Sequence, residues 1–286
     1  MNKSSKTLLI SVLGNISSIL LKLIGGIIGK SKTLLADSIH SCSDLGTDFF
    51  LIIGTFFSNK PADEDHPYGH DRFECVASII LAILLGVTGV GIGLTGVQKL
   101  MAGHYDTLAV PGMLALAAAV ISIVVKEIMY WYTRNAAKKI NSGALMADAW
   151  HHRSDALSSV GSFVGIFGAR MGFPMLDPLA SVVICLFVVK AAVDIFRDAI
   201  SKMTDKSCDQ KTVNEMHDCI MNIQGVERID LLKTRSFGSK YYVDIEISAD
   251  GNKKLWETHA IAENVHQAIE HQFPLVKHCM VHVNPA

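Results

Sequence analysis

Six apolar segments follow one another through most of the chain, and they constrain the fold more than any other feature of the sequence. They lie at about 7–29, 33–57, 75–99, 108–133, 143–169 and 178–200. A helix of roughly 20 apolar residues is long enough to cross a hydrocarbon core of about 30 Å. The sequence therefore predicts an α-helical membrane protein with six transmembrane helices, in a domain of residues 1–205.

The remainder of the chain, residues 206–286, has the pattern of a soluble domain. An amphipathic helical segment comes first, and the two β-rich segments 228–237 and 240–249 follow, separated by Gly-Ser, which indicates a hairpin. A second amphipathic helix ends at Pro274, and a last strand follows it. The order αββαβ predicts a small cytoplasmic α+β domain of ferredoxin-like type.

The positive charges near the segment ends predict the orientation. If the N-terminus is cytoplasmic, ten Lys or Arg residues lie on that side and four on the other. The ten are Lys3, Lys6, Lys60, Arg72, Arg134, Lys138, Lys139, Arg197, Lys202 and Lys206; the four are Lys30, Lys32, Lys99 and Arg170. This excess predicts a multi-pass protein of the cell membrane with both termini in the cytoplasm.

Composition excludes other classes of protein. The six cysteines form no Cys-x-x-Cys pair, so we expect free thiols on a reducing cytoplasmic side rather than disulfides or a thiolate zinc site. The formal net charge is −1 and no basic patch is present, so we expect no nucleic-acid partner.

One pattern with ionisable residues occurs twice inside apolar segments, where burial of such residues costs free energy. It is Ala-Asp-x-x-His-x-x-Ser-Asp, at 36–44 and again at 147–155. Residues four apart share one face of a helix, so each copy projects one imidazole and one carboxylate together. The two pairs are His40 with Asp44 and His151 with Asp155. Two such helices side by side offer two nitrogen and two oxygen ligands, which suits a tetrahedral Zn²⁺ site. Cobalt, iron and nickel accept the same ligands, whereas calcium and copper(I) fit them less well.

Two further aspartates and a second histidine lie close to these pairs, at Asp37, Asp148 and His152. A single His in a membrane helix is often only a helix contact, but ionisable residues repeated on two segments favour a metal site. Asp37 and Asp148 lie three residues before each His, where they either orient the imidazoles or form part of the route of the ion. His152 lies off this face, and we expect a structural role for it.

The six segments, the αββαβ tail and the paired His-x-x-x-Asp motifs in the second and fifth segments resemble the cation diffusion facilitators. This family exports divalent metals in exchange for protons, and the resemblance covers nearly the whole chain. Within it, a paired His-x-x-x-Asp is associated with zinc, Asp-Asp in the second span with iron and Asn-Asp with manganese. The resemblance implies a homodimeric Zn²⁺/proton antiporter, with Fe²⁺, Cd²⁺, Co²⁺ or Mn²⁺ as alternative cargo.

The loop PADEDHPYGHDRFE at 61–74 carries a second resemblance, to the family pattern P-A-D-x-x-H-x-x-G-H. The resemblance implies that Asp63, His66 and His70 bind a further ion. The alternative is a solvated acidic turn that caps the third helix. The family also implies an ion pair between subunits, which falls here on Arg72 and Asp205.

In the family, the tail dimerises and binds metal near its interface through one His on its second helix and one on its last strand. The candidate ligands implied here are His259, His282, Asp230, Asp244 and Glu246. Asn284 stands where some members have an acidic residue, which is a departure from the pattern. We therefore expect a regulatory site with altered ligands rather than a two-metal cluster.

Two other function classes fit the residues less well. A membrane zinc hydrolase needs a general base, typically the Glu of His-Glu-x-x-His, and that motif is absent from the sequence. A metal sensor would leave the two intramembrane ligand pairs unexplained. We therefore expect a transporter rather than an enzyme.

Overall fold

The structure is a computed structural model that describes residues 3–28, 32–102, 113–170 and 175–286. Within these ranges, some side chains lie outside the described set: those of residues 3–6, 22, 25–26, 32–44, 102, 113–119, 162–170 and 177.

Six long helices form the first part of the molecule. They are α1 (Lys3–Ile28), α2 (Lys32–Ser58), α3 (Phe73–Ala102), α4 (Met113–Ile140), α5 (Gly143–Arg170) and α6 (Leu176–Met203). Helix α3 packs along α6, α4 packs against α5, and α1 contacts both α2 and α4. The helices α2 and α5, which carry the repeated motif, also contact each other. The predicted helical membrane domain is confirmed.

The polarity of this bundle is inverted relative to that of a soluble protein. Large apolar side chains face outward, including Leu13, Phe49, Phe56, Val87 and Phe187. Polar side chains are buried instead, including Ser11, Asn15, Asp48, Lys126, Asp148 and His152. An apolar outer surface around a polar interior is what a hydrocarbon solvent favours.

Two helices among the described residues are long and apolar enough to cross a membrane by length and composition alone, Phe73–Met101 and Pro178–Met203. Thr7–Leu21 and Leu45–Ser58 are shorter apolar helical stretches. Each shorter stretch begins where the described side chains of its helix begin, so this test covers only parts of the six predicted segments. Charged residues of α2, α4 and α5, such as Asp48, Lys126 and Asp148, are buried within the bundle.

The second part of the molecule has the predicted αββαβ order. Its elements are α7 (Gln210–Met221), β1 (Arg228–Phe237), β2 (Lys240–Ala249), α8 (Leu255–Gln272) and β3 (Val276–Pro285). The sheet order is β1-β2-β3, with β1 antiparallel and β3 parallel to β2. Gly238 adopts a φ of +65° between β1 and β2, a conformation that favours glycine.

One face of this sheet packs on both helices. Its core comprises Met216 and Ile220 of α7, Val243, Ile245 and Ile247 of β2, and Ile261, Val265 and Ile269 of α8. Because successive residues of a strand point to opposite faces, Asp244 and Glu246 belong to the other face. At the start of α7, the Asp209 carboxylate accepts the N–H of Thr212 at 3.0 Å, which lowers the pKa of Asp209.

Candidate metal sites

The α5 copy of the repeated motif brings its two candidate ligands together. His151 Nε2 lies 3.9 Å from Asp155 Oδ2, and both side chains are largely buried. This is the arrangement that the four-residue spacing predicts. On α2, His40 and Asp44 lie one turn apart on the helix backbone, but their side chains and that of Asp37 lie outside the described residues.

A buried lysine of α4 contacts the same carboxylate. Lys126 Nζ lies 2.7 Å from Asp155 Oδ2 and donates a hydrogen bond to Asn15 Oδ1 at 3.0 Å. The Lys126 side chain is only 3% exposed, and that of Asp155 is 15% exposed. Lys126 lies within the fourth apolar segment of the sequence, which gives no indication of its partner. The available signal was its charge, since a buried ammonium inside a membrane helix needs an anion.

The contacts continue from Asn15 to α2. Asn15 Nδ2 donates to Asp48 Oδ2 at 2.8 Å, and Asp48 is 2% exposed. Asp48 lies four residues after Asp44, so it follows the motif by one helical turn. Among the atoms that the structure describes, Oδ1 of Asp48 is buried without a hydrogen-bond partner.

Asp148 takes part in a separate buried group on α1 and α5. The Ser11 hydroxyl donates to Asp148 Oδ2 at 3.0 Å and lies 2.8 Å from His152 Nε2. A hydroxyl has one proton, so Ser11 must accept from the N–H at Nε2 of His152. Asp148 therefore helps to hold the neighbouring helix α1 and His152, and the fully buried His152 fits the structural role expected of it.

The loop before α3 brings three candidate ligands into one cluster. Ligand atoms of Asp63, His66 and His70 all lie within 4.8 Å of one another, and this is the only group of three such residues among those that the structure describes. His66 Nδ1 lies 3.3 Å from Asp63 Oδ1, and His70 Nε2 lies 3.5 Å from Asp63 Oδ2. Three N/O ligands with remaining open positions suit a divalent cation such as zinc.

The surroundings of this cluster orient its ligands. His70 is 4% exposed, stacks on Phe73 and lies with Nδ1 3.2 Å from the carbonyl oxygen of Pro61. A carbonyl only accepts, so Nδ1 carries a proton, and Nε2 is the ring nitrogen that faces Asp63 and would bind a metal ion. The Lys60 ammonium donates to Asp63 at 2.9 Å and, with the hydrogen bonds from His66, holds the pKa of that carboxyl far below its usual range.

The same loop lies against the C-terminal domain. Lys277 of β3 donates to the carbonyl oxygen of Tyr68 at 3.0 Å and pairs with Asp71. The rings of Tyr68 and Tyr242 meet edge to face at 6.2 Å. The loop cluster is therefore joined to the sheet through residues adjacent to its ligands.

Arg72 and Asp205 form an ion pair within one chain. Arg72 Nη2 lies 2.5 Å from Asp205 Oδ1, and the guanidinium covers the ring of Phe237 at 4.9 Å. The structure describes one chain, so the predicted pairing of these residues between subunits stays a prediction. Helices α3 and α6 pack side by side, so the residues just outside their ends meet, and Asp205 turns the chain with a φ of +60°.

The tail candidates do not gather into a group of three ligands in the part of the chain that the structure describes. His259 on α8 and His282 on β3 are exposed, and His282 pairs in register with Glu246 of β2. Asp244 pairs in register with Met280.

Asp230 is already engaged by neighbours in the sheet. Its carboxylate accepts from Arg228 at 2.7 Å, Ser248 at 2.6 Å and Asn284 at 3.0 Å. These hydrogen bonds, from Ser248 first, lower the pKa of Asp230 to about 2. The Asp230 carboxylate therefore links β1, β2 and β3 at one end of the sheet.

The described cysteines are free thiols, as expected: Cys75, Cys185, Cys208, Cys219 and Cys279. Burial raises the pKa of the Cys279 thiol to about 12, so this thiol is a poor metal ligand at neutral pH.

Comparison with known families matches residues 8–204 to the cation efflux transmembrane domain and residues 208–286 to the cytoplasmic domain of cation efflux proteins. The chain is 35% identical over 284 residues to an uncharacterized transporter of Methanocaldococcus jannaschii, with 99% of each chain covered. It is 32% identical over 289 residues to a manganese efflux system protein of Bacillus subtilis, covering 99% of this chain and 96% of that protein.

A metal tolerance protein of Arabidopsis thaliana is 31% identical over 277 residues, covering 93% of this chain and 59% of that protein. Among solved structures, a C-terminal domain of MamM covers 27% of this chain and 96% of its own length, at 21% identity and a TM-score of 0.26.

A helical bundle with an apolar outer surface, followed by a cytoplasmic α+β domain, defines a polytopic membrane protein of the cation efflux class. The chain belongs to the cation efflux family, the cation diffusion facilitators that its motifs resemble, so the predicted family is confirmed.

Proposed function

We propose that this protein exports a divalent metal cation, with Zn²⁺ as the first candidate cargo. The proposed ligands are His40 and Asp44 of α2 with His151 and Asp155 of α5. The observation that carries the proposal is the buried His151–Asp155 pair, 3.9 Å apart, on a helix that contacts α2. Two imidazoles and two carboxylates leave a tetrahedral ion no open position for a reacting water, which favours transport over hydrolysis.

Manganese is the second candidate cargo, because a relative that matches nearly the whole chain is named as a manganese efflux protein. Ligand chemistry favours zinc, since imidazole is a softer ligand than carboxylate or water oxygen. His40 is the residue on which this preference depends, and its replacement by Asp is expected to shift the preference toward Mn²⁺ and Fe²⁺.

Proton antiport is part of the proposal. Metal binds to neutral imidazole and ionised carboxylate, and protonation of either ligand weakens binding. Protons that enter from the more acidic side therefore displace the metal there. An inward proton gradient then drives metal outward.

We further propose that residues 1–205 form the transporting domain and residues 206–286 a domain that dimerises and regulates. The loop that carries Asp63, His66 and His70 contacts that second domain through Asp71, which pairs with Lys277, and Tyr68, whose carbonyl oxygen accepts from Tyr242. A metal ion in the loop is thus placed to influence how the two domains pack. We also propose cytoplasmic termini and a homodimer as the working unit, which the dimer-type cytoplasmic domain supports.

The experiment is metal flux into proteoliposomes for Zn²⁺, Mn²⁺, Fe²⁺, Co²⁺ and Cd²⁺, with and without a pH gradient. The expected result is Zn²⁺ flux that the gradient accelerates and that Asp155→Ala abolishes. Flux of Mn²⁺ with none of Zn²⁺ would overturn the choice of cargo. Zinc flux of normal size in Asp155→Ala would overturn the site itself.

A further inference from the structure

Lys126 contacts Asp155 and Asn15 next to the proposed transport site. Its Nζ lies 2.7 Å from Asp155 Oδ2, on α5, and 3.0 Å from Asn15 Oδ1, on α1. The residue is 2% exposed, so water screens its charge little. An ammonium therefore contacts the same carboxylate oxygen that lies 3.9 Å from His151 Nε2.

A metal ion bound by His151 and Asp155 would lie within a few ångströms of this ammonium. At that distance, two like charges repel strongly in a protein interior of low dielectric constant. A divalent ion and the Lys126 ammonium therefore cannot both be held on Asp155 without a large penalty. Arrival of the metal requires the ammonium to move.

The structure offers a second position for the displaced ammonium. Asn15 bonds Lys126 through Oδ1 and Asp48 through Nδ2, so Asp48 lies directly beyond Asn15. Asn15 therefore bridges the Lys126 ammonium and the Asp48 side chain. Oδ1 of Asp48 is buried and has no hydrogen-bond partner among the atoms that the structure describes. A lysine side chain is long and flexible enough to exchange one carboxylate for another nearby.

We propose that Lys126 is a tethered cation that competes with the metal for Asp155. It neutralises Asp155 while the site is empty and moves toward Asp48 when the metal binds. This inference rests on the proposed function, in which Asp155 is a transport ligand. Lys126 is accordingly a positioning residue that sets how tightly the cargo is held, and it is not itself a ligand.

The proposal predicts opposite effects on affinity and turnover. Without the competing ammonium, the metal binds more tightly and leaves more slowly. Half-saturating zinc should fall by about tenfold or more, because the lost repulsion acts in a poorly screened site. Maximal flux should fall several-fold, because release becomes slower. A merely structural role would instead reduce flux without improving affinity.

The test is zinc flux in proteoliposomes of the whole protein for Lys126→Gln, which keeps hydrogen-bonding capacity toward Asn15 and Asp155 but removes the charge. Lys126→Met is the second variant, so that one can be measured if the other does not fold. Lys190→Gln is the matched control, since Lys190 is an exposed lysine in α6. It should retain the parent half-saturation and maximal flux.

A lower half-saturating zinc concentration together with a lower maximal flux in Lys126→Gln supports the proposal. An unchanged or higher half-saturating zinc concentration in Lys126→Gln overturns the proposal. The proposed function still stands in that case if Asp155→Ala abolishes flux. Normal zinc flux in Asp155→Ala overturns both the proposed site and this inference. Asp48→Asn tests the second position: it should raise the half-saturating zinc concentration, because the displaced ammonium loses the Asp48 carboxylate. Unchanged half-saturation in Asp48→Asn removes Asp48 from the mechanism.

Discussion

Two candidate metal ligands in this protein are held by a lysine at nearly the same distance, in opposite surroundings. Asp155 pairs with Lys126 at 2.7 Å inside the bundle, and the side chains are 15% and 3% exposed. Asp63 pairs with Lys60 at 2.9 Å on the loop before α3, with side chains 34% and 51% exposed. The contact chemistry is the same, so differences in behaviour must come from solvent access.

Solvent access changes what each lysine does. On the loop, water screens the pair and offers both charges an alternative partner, so the ammonium competes weakly with an arriving metal. In the bundle, each charge depends on its protein partners, and displacement of one requires another to receive it. We therefore expect Lys60 to have little effect on metal binding at Asp63, and Lys126 to have a large effect on metal binding at Asp155.

The largest expected difference lies in transport. Asp155→Ala should reduce zinc flux to background, because it removes an anionic ligand from a four-ligand site. Asp63→Ala should reduce flux only a few-fold, because Asp63 lies outside the four proposed transport ligands. Both variants should remain folded, as judged by size-exclusion chromatography and circular dichroism. Equal losses in the two variants would break the distinction between a transporting and a regulating site.

The second difference is in stability. Lys126→Met leaves the Asp155 carboxylate buried without its ammonium, a change that costs about 3 kcal/mol when a buried ion pair loses one partner. Lys60→Met should leave the unfolding temperature unchanged, because exposed pairs contribute little. Thermal unfolding in detergent measures both. A stable Lys126→Met protein would mean that other groups compensate the Asp155 charge.

The third prediction concerns the number of bound ions. The double variant His66→Ala with His70→Ala should bind one zinc ion fewer per chain in equilibrium dialysis of the whole protein. His217→Ala is the matched control, since its imidazole is exposed on α7 and lies outside the cluster. Identical stoichiometry in the double variant and the control would exclude the loop as a metal site.

The smallest expected effect is a pH dependence at a third carboxylate. The pKa of Asp230 is lowered to about 2, below the ordinary value of about 3.9, so folding favours its ionised form. Its contribution to stability is full above about pH 4 and is lost as the pH falls toward about 2. Asp230→Asn should remove this dependence.

The measurement is hydrogen exchange of β1, β2 and β3 amides in the whole protein between pH 2 and pH 5. Each value is compared with that of Asp230→Asn at the same pH. A constant ratio of protection across the range would show that Asp230 does not stabilise the sheet.

Much of the fold could be predicted from local patterns. The two strands of the hairpin begin and end at the predicted residues, Arg228–Phe237 and Lys240–Ala249. The loop cluster was also accessible, because its three ligands lie within eight residues, from Asp63 to His70. A spacing of four along α5 was enough to bring His151 beside Asp155.

Other features required the packed structure. The sequence did not reveal that Lys126 of α4 reaches Asp155 of α5, since 29 residues separate them. Nor did it reveal that the packing of α3 on α6 brings Arg72 and Asp205 together within one chain.

The sequence by itself determined the membrane helices, the αββαβ domain and the repeated His-Asp pairs. These depend on the helical period, on strand alternation and on the cost of placing charge in an apolar segment. Only the tertiary structure decided which charges neutralise each other, because this depends on distances between helices that no periodicity encodes. Asp155 shows the difference: its own helix supplies His151, and the packing of α4 against α5 supplies Lys126.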